Sequence, residues 1–405
     1  MRQEISDTMK KNVERVLFSL MNQDPAPELP EIPVVQEFVS YLDENGVTGV
    51  FFHVLKKAGC QDLLPAEVYD DLLQRFHLQV ARNLACAASA RKVFHLLYSH
   101  DIPFIVLKGL ALAENIYPHF AMRTTSDLDI LIHSEDLPRV DRILARDGYL
   151  AKDSTVPQAL RNPPGYLASL EYHKSNIAFS YLHLHWHLIN TSTPAVGFTE
   201  KIDMERIWEL SRMGSVAEME VRLLCPEHLV IYLCEHGLRV GHSFDRLNLI
   251  CDLFYAVKSL EDRLDWDLTA REAKKMGLQN FVFLGLKILQ TYGGRKILPD
   301  AILEKFDPQA LSFGERLFLR LQQHGFRLRG SSYLVYLAAN RGFFNKGHLI
   351  FRTLFPPRLI LAQRVRQESG LNSPSLYFSR IAEISAFILK LIRLLAHYPG
   401  SAFMR

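Results

Sequence analysis

The sequence predicts an α+β fold in which a compact unit of strands and helices is flanked by helical regions on both sides. Three observations support this prediction. Residues 1–100 carry apolar side chains at spacings of three and four, as amphipathic helices do, notably in "VYDDLLQRFHLQVARNLACAASARKVFHLLYSH", which contains no Gly or Pro. Between residues 101 and 190, short β-branched or alternating runs are interleaved with short helical patterns. Past Thr193 the helical pattern returns and continues to the end of the chain.

The central unit can be followed element by element. "PFIVLKG" is a β-branched run ending at Gly109, "LALAENIY" gives one or two helical turns, and "DLDILIH" predicts a strand. "SEDLPRVDRILARDGY" predicts a helix with Ser134 as N-cap, carboxylates in the first turn and a Gly-Tyr stop. Two extended runs, "EYHKSNIAFSY" and "LHLHWHL", follow a loop containing "NPPG". This succession indicates a compact α+β unit.

We therefore expect four regions along the chain. They are an N-terminal helical region at 1–100, the α+β core at 101–190, a helical domain at 191–300 and a basic C-terminal helical region at 301–405. The last region is interrupted by "LFPPR" at residues 354–358.

The composition is that of a folded protein, with 48% hydrophobic and 22% charged residues. No CxxC spacing occurs, which predicts buried thiols in a reducing compartment. The amphipathic N-terminus lacks the apolar core of a signal peptide, and no apolar run is long enough for a spanning helix. A cytoplasmic location is expected. The five cysteines are Cys60, Cys86, Cys225, Cys234 and Cys251.

The formal net charge of +3 is unevenly distributed. From Phe326 to the end there are twelve Lys or Arg against two acids, Glu368 and Glu383. Such a region would suit an anionic partner, namely nucleic acid, a membrane surface or a polyanionic substrate. The simpler alternative is a solvated basic face on surface helices.

Two carboxylates in "SDLDILI" are the main indication of chemistry. Asp127 and Asp129 fall on one face of the predicted strand, because successive side chains of a strand alternate between faces. Two like charges at this separation are unfavourable unless a cation lies between them, and Mg²⁺ binds carboxylate together with phosphate oxygens. The alternative is an exposed strand end with two solvated carboxylates.

Nearby residues favour a phosphate ligand. Lys108 and Gly109 stand at a strand-to-helix junction, where a glycine lets a phosphate approach backbone N–H groups. Arg123, four residues before Asp127, is a candidate bidentate phosphate donor.

A row of imidazoles in "YLHLHWHLIN" raises a separate question. His183, His185 and His187 would share one face of an extended strand. A zinc site is geometrically possible, but the spacing is a weak signature and no cysteine lies near it. The alternatives are a structural row and a contribution to the carboxylate site.

The ordered set of these motifs resembles the uncharacterised nucleotidyltransferase family of the polymerase-β-like superfamily, over roughly residues 65–280. The set is Lys-Gly, Tyr-Pro, Arg, Asp-x-Asp, Gly-Tyr and x-His-Trp, followed by "EHLVIYLCEHG" and "RLNLICDL". The resemblance implies a small mixed sheet on which Asp127 and Asp129 hold Mg²⁺, with Mn²⁺ as the alternative. Lys108, Gly109 and Arg123 would bind an NTP, with ATP favoured. A hydroxyl would attack the α-phosphorus, and pyrophosphate would leave.

The sequence departs from the family pattern at two positions. His183 stands where the resemblance implies a third catalytic acid, and Leu110 follows Gly109 where many relatives have serine. A catalytically impaired protein that binds a nucleotide or a partner is therefore the alternative function. The acceptor, a small molecule or a protein side chain, stays open, as do the roles of His236, Arg246 and Asp252. Nucleic acid is not expected as a partner, because no recognised module or aromatic platform is found.

Overall fold

The computed structural model describes residues 7–24, 35–151, 167–189, 201–308, 310–340, 342–356 and 375–397. Within them, sixteen α-helices surround one mixed sheet of seven strands, so the predicted α+β fold with flanking helical regions is confirmed. The "NPPG" loop lies outside the described residues. The division into four regions stays a prediction. No helix of the described part is both long and apolar enough to cross a membrane.

The strands are β1 (Ile105–Val106), β2 (Asp127–Leu131), β3 (Leu150–Ala151), β4 (Ser169–His173), β5 (Tyr181–His185), β6 (Arg212–Val216) and β7 (Met219–Leu223). The helices up to the sheet's last strands are α1 (Asp7–Asn22), α2 (Val35–Glu44), α3 (Thr48–Lys57), α4 (Ala66–Tyr98), α5 (Leu110–Asn115), α6 (Leu137–Arg146) and α7 (Met204–Glu209). The helices after the sheet are α8 (Pro226–Leu238), α9 (Leu247–Ser259), α10 (Trp266–Lys275), α11 (Gln279–Ile297), α12 (Asp300–Glu304), α13 (Phe313–Gln323), α14 (Tyr333–Ala339), α15 (Phe343–Leu354) and α16 (Ser375–His397).

The strand order is β3-β4-β5-β2-β1-β7-β6, which places β2 at the centre of the sheet. β2 runs parallel to β5 and antiparallel to β1, and β1 in turn runs parallel to β7. In the β2–β5 pairing, Asp129 lies opposite His183. Because paired residues project to the same face, the register brings both carboxylates of β2 and the imidazoles of β5 to one side of the sheet.

The two faces of the sheet border separate hydrophobic cores. Leu128 and Ile130 of β2 point into a core that also contains residues of α4 and α6. On the opposite face, Leu131 belongs to a larger core that extends from α1 through α8, α9 and α11 to the C-terminal helices. The carboxylate face is therefore the face that the larger helical assembly covers.

The β6–β7 hairpin shows that the helical interpretation past Thr193 is wrong for residues 212–223. Its turn residues, Ala217 and Glu218, both have positive φ angles, 53° and 59°. A two-residue hairpin turn of this kind usually carries Asn-Gly or Asp-Gly, which tolerate these angles. Ala-Glu gives no such signal, and the sequence therefore hides the hairpin.

Some predicted boundaries also shift. A 3₁₀ turn, Ser134–Asp136, precedes α6, so the helix begins at Leu137 and Ser134 is not its N-cap. Within the run "EYHKSNIAFSY", β4 ends at His173 and β5 begins only at the last residue, Tyr181; β5 ends at His185. All five cysteines are free, and all except the partly exposed Cys60 are buried.

The first part of the basic C-terminal region belongs to the main core. Val335 and Tyr336 of α14 are 0% and 2% exposed, and the Tyr336 ring packs against Phe281 of α11 at 5.0 Å between centroids. Arg327 forms a buried ion pair with Glu14 of α1 at 2.8 Å. The solvated-face interpretation is therefore wrong for Arg327, although α15 and α16 are largely exposed.

A chain that ends at Gly330 should be less stable than one that ends at Asn340. The shorter chain lacks Val335 and Tyr336, and two fully buried side chains of this size contribute about 4 kcal/mol together. Urea unfolding of the two chains measures the difference. Coincident unfolding curves would contradict this assignment of α14 to the core.

Candidate functional site

Asp129 is a buried carboxylate at the centre of the sheet, 1% exposed, and three side chains converge on it. Lys108 Nζ donates to its Oδ2 at 2.5 Å. Its Oδ1 lies 3.2 Å from His185 Nε2 and 3.5 Å from His183 Nδ1. Burial alone would raise the pKa of Asp129, but Lys108, followed by the two histidines, outweighs this effect and holds the pKa well below its usual range. The carboxylate is therefore ionised.

Asp127 lies two residues earlier on the same face of β2 and is only partly buried. The Ser126 hydroxyl donates to its Oδ2 at 3.2 Å. The two carboxylates thus differ, since Asp129 is engaged by a lysine inside the protein whereas Asp127 borders open space.

His183 and His185 occupy alternate positions of β5 and share the face of Asp129. His187 lies beyond the end of the strand, where its Nδ1 accepts from the Ile189 backbone N–H at 3.1 Å. The candidate metal-binding group in the described residues is Asp129, His183 and His185, whose ligand atoms all lie within 4.8 Å of one another. The third member of this group is therefore Asp129, and not His187 as the three-histidine zinc hypothesis expected.

The two imidazoles differ electrostatically. Burial outweighs the contact with Asp129 at His185 and lowers its pKa to about 4. Burial also acts to lower the pKa of His183, but the hydrogen bond and charge of Asp129 raise the pKa above its usual value. Of the two, His183 is therefore the one that takes up a proton more readily.

Lys108 and Gly109 lie at the junction of β1 and α5. Gly109 has a φ of 69°, and a Cβ at this position would lie 3.0 Å from the backbone carbonyl oxygen of Asp127. Both the backbone conformation and the close approach to β2 therefore require glycine. The tight turn directs the Lys108 side chain back to Asp129.

Arg123 forms a two-point ion pair with Asp252 of α9. Its Nε donates to Asp252 Oδ1 at 2.8 Å and its Nη2 to Oδ2 at 2.9 Å. Tyr117 donates to the same Oδ1 at 2.6 Å, so this carboxylate is well satisfied although it is buried. The sequence left Asp252 without a role, and the structure gives it one: it anchors Arg123 between the sheet and α9.

A polar cleft of about 200 Å³ lies beside the carboxylates. On the sheet side it is lined by the predicted residues Lys108, Gly109, Arg123, Asp127 and Asp129. On the helical side it is lined by His236, His242, Asp245, Arg246 and Arg329. The predicted residues are thus brought together with one exception, because His183 contacts Asp129 from β5 and does not line the cleft.

The helical wall of the cleft was largely missed from the sequence. His236 and Arg246 were named from the sequence with their roles left open, and the structure places both on this wall. His242 and Asp245 lie between α8 and α9 in a segment without periodic pattern, so only the clustering of charge could have indicated them. Arg329 lies far along the chain and is held by its Nε, which donates to the Gly241 carbonyl at 2.6 Å. Burial, followed by the charges of Arg239 and Lys108, lowers the pKa of His242 to about 3. The wall is therefore cationic through its arginines.

His185 should make stability depend on pH. Its folded-state pKa of about 4 lies below the ordinary value of 6.5, so only the unfolded state binds a proton as pH falls from 6.5 towards 4. The stabilisation is complete above pH 6.5 and is lost through that window, by about 2 kcal/mol between pH 7 and pH 5.

Urea unfolding with EDTA at both pH values tests this. His185→Asn should show a weaker pH dependence than the wild type, whereas His95→Asn, at an exposed position on α4, should keep the wild-type dependence. Equal pH dependence of the wild type and the His185 variant would contradict the assignment.

The family model described as uncharacterised nucleotidyltransferase matches residues 34–294. No curated protein and no solved structure matches the chain significantly. The matched segment contains all seven strands and the cleft residues other than Arg329. The chain therefore belongs to the uncharacterised nucleotidyltransferase family.

Proposed function

We propose that the protein transfers a nucleoside monophosphate from an NTP to a hydroxyl acceptor in the polar cleft. The observation that carries this proposal is the opposition of charges in that cleft. Asp127 and Asp129 stand on the sheet side, while Arg246 and Arg329 stand on the helical side, with Lys108 beside the carboxylates. Such an arrangement suits a metal-bound polyphosphate, which carries positive and negative groups side by side.

The size of the cleft indicates which part of the nucleotide it would hold. At about 200 Å³ it is smaller than the roughly 300–1,000 Å³ of ordinary ligand pockets. We therefore assign it to the triphosphate. ATP is the proposed donor, a small molecule or a protein side chain the acceptor, and the cytoplasm the location. Arg123 would contribute through the second N–H of Nη1, because its Nε and Nη2 are held by Asp252 and Nη1 also donates to the Thr124 carbonyl at 3.3 Å.

The donor set fits a divalent cation. Asp127 and Asp129 offer the carboxylate oxygens that Mg²⁺ prefers, and the imidazoles beside Asp129 would be accepted more readily by Mn²⁺. When bound, the cation would neutralise phosphate charge in the transition state. Because Lys108 pairs with Asp129 Oδ2, we expect this lysine to move onto a phosphate oxygen when the nucleotide enters.

In the proposed reaction the acceptor oxygen forms a bond to the α-phosphorus. The bond between the α-phosphorus and the bridging oxygen breaks, and pyrophosphate leaves with the electron pair. The leaving pyrophosphate gains negative charge, which Lys108, Arg246 and Arg329 would stabilise. We assign the third catalytic position to His183, whose Nδ1 faces Asp129 and whose Nε2 is a buried nitrogen without a hydrogen-bond partner among the described residues. An imidazole can accept a proton near neutral pH. Because His183 does not line the cleft, it would take the hydroxyl proton only from an acceptor that reaches Asp129 from the β5 side.

Two observations favour the alternative, a nucleotide- or partner-binding protein with impaired catalysis. Lys108 occupies one oxygen of Asp129, and His183 brings no negative charge to the position of the third acid. The cation would then be held by fewer carboxylates than the family pattern implies. Glu171 of β4 lies opposite His183 on the same sheet face and is a further carboxylate near this position.

Asp127→Asn should weaken Mg²⁺-dependent ATP binding by about tenfold or more, because the cation loses a charged ligand. Asp127 is the better target because replacing Asp129 would also leave Lys108 unpaired. Calorimetry with and without Mg²⁺ measures the effect. Asp62→Asn, an exposed carboxylate outside the cleft, is the matched control. Wild-type binding of Mg·ATP by the Asp127 variant would remove this residue from the site.

His183→Asp should strengthen binding of the divalent cation, since it restores a negative charge beside Asp129. If the protein is a transferase, pyrophosphate release from ATP in the presence of cell extract should also rise. If it is a binding protein, metal affinity should rise without turnover. His183→Asn separates the effect of charge from the loss of the imidazole. An Asp variant that binds the cation no better than the wild type would refute the assignment of position 183.

A further inference from the structure

The last two helices carry most of the large apolar side chains that the described residues expose. Ten such side chains lie on α15, on α16 or at Phe355, against seven in all the rest of the described chain. Single exposed apolar residues are common, but an accumulation of this kind marks an interaction surface. The ten are Phe343, Phe344, Ile350, Phe351, Phe355, Phe378, Ile381, Ile388, Leu389 and Ile392.

On α16 the exposed apolar residues form a stripe along the helix. Phe378, Ile381, Ile388 and Ile392 follow helical spacing and are 37–70% exposed. Glu383 and Lys390 lie on the opposite side of the helix, while Arg380 and Arg393 flank the stripe. Arg380 also pairs with Glu383 at 3.0 Å. α16 is therefore amphipathic, with its apolar stripe directed outward.

α15 presents a similar face. Phe343 and Phe344 are 87% and 89% exposed, and Ile350 and Phe351, seven positions later, are 45% and 58% exposed. These four residues lie on one side of the helix, because two turns separate the pairs. Leu349, which projects from the other side, is buried in the main core.

The helices α15 and α16 pack against each other. Their apolar faces are therefore exposed although this contact is formed. The Tyr377 hydroxyl donates to the Pro356 carbonyl at 3.4 Å, and Arg380 Nε donates to the Thr353 carbonyl at 3.5 Å. The Phe355 and Tyr377 rings are 6.2 Å apart. Phe387 lies beside Gly330, which follows the cleft residue Arg329. The pair α15 and α16 therefore contacts the body of the protein next to the cleft.

The net charge of α15 and α16 indicates which kind of partner covers their apolar faces. The described residues from Gly342 onward contain five cations, Lys346, Arg352, Arg380, Lys390 and Arg393, and one carboxylate, Glu383. Phenylalanine and isoleucine on one face with lysine and arginine on the other are typical of helices that lie in the headgroup region of an anionic membrane. A helix of 23 residues would extend about 34 Å along such a surface.

We propose that α15 and α16 together bind the surface of an anionic lipid bilayer. The exposed phenylalanine and isoleucine side chains enter the boundary between headgroups and acyl chains, and the basic side chains contact lipid phosphates. The helices lie along the surface, because the charged face of α16 has to stay in contact with water and headgroups. This proposal is independent of the nucleotidyl transfer proposed above, since it uses no cleft residue.

Vesicle flotation with the full-length protein tests the proposal. The protein should float with vesicles of equimolar phosphatidylcholine and phosphatidylglycerol, and much less with phosphatidylcholine alone. Added salt should release it, because attraction between basic side chains and lipid phosphates is screened. Lys346→Gln combined with Lys390→Gln should weaken binding to the anionic vesicles.

The apolar contribution is tested with a pair of matched variants. Phe343→Ser with Phe344→Ser should lower vesicle binding by about tenfold or more, and it should not disturb the fold because both side chains are exposed. Leu78→Ser with Leu84→Ser, exposed at 70% and 58% on α4, is the control and should bind as the wild type does.

Three results would overturn the proposal. The wild type could fail to float with either kind of vesicle, or both double variants could lose binding equally. Size-exclusion chromatography could also show a wild-type dimer that the Phe343 and Phe344 variant converts to a monomer. That last result would assign the apolar faces to a contact between two copies of the chain.

Discussion

The carboxylate of Asp129 stays ionised although it is almost completely buried, and the arrangement of the candidate site depends on how this is achieved. Lys108 donates to one oxygen, while the imidazoles of His183 and His185 face the other. A buried charge without such partners would cost several kcal/mol. Gly109 allows the turn that directs Lys108 to this position, and the β2–β5 register supplies the histidines. Backbone geometry, sheet pairing and site electrostatics are therefore linked through one side chain.

The sequence predicted the parts of the site that follow from local periodicity. Strand alternation put Asp127 and Asp129 on one face, and the resemblance to the family aligned His183 with a position beside them, where the register indeed places it. It did not predict that Lys108 pairs with Asp129 or that Asp252 anchors Arg123, because both pairs join residues far apart in the chain. Arg329 was missed for the same reason. The β6–β7 hairpin was missed because its turn residues, Ala217 and Glu218, are atypical of such turns.

The departure from the family pattern at position 183 has a physical consequence. A histidine in place of an acid removes one negative charge from the surroundings of Asp129, and Lys108 adds a positive one. A divalent cation at the proposed site would therefore have to compete with an internal ion pair before it could use both oxygens of Asp129. The proposed site would be formed fully only when a nucleotide brings phosphate oxygens that Lys108 can contact instead. The cleft, with Arg246 and Arg329 opposite, provides the place for that exchange.

Anomalous diffraction from crystals grown with Mn²⁺ and a non-hydrolysable ATP analogue tests this account most directly. We expect a manganese peak between Asp127 and Asp129, the triphosphate in the cleft beside Arg246 and Arg329, and Lys108 Nζ moved from Asp129 Oδ2 to a phosphate oxygen. A cleft without nucleotide or manganese, with Lys108 still paired to Asp129, would contradict it.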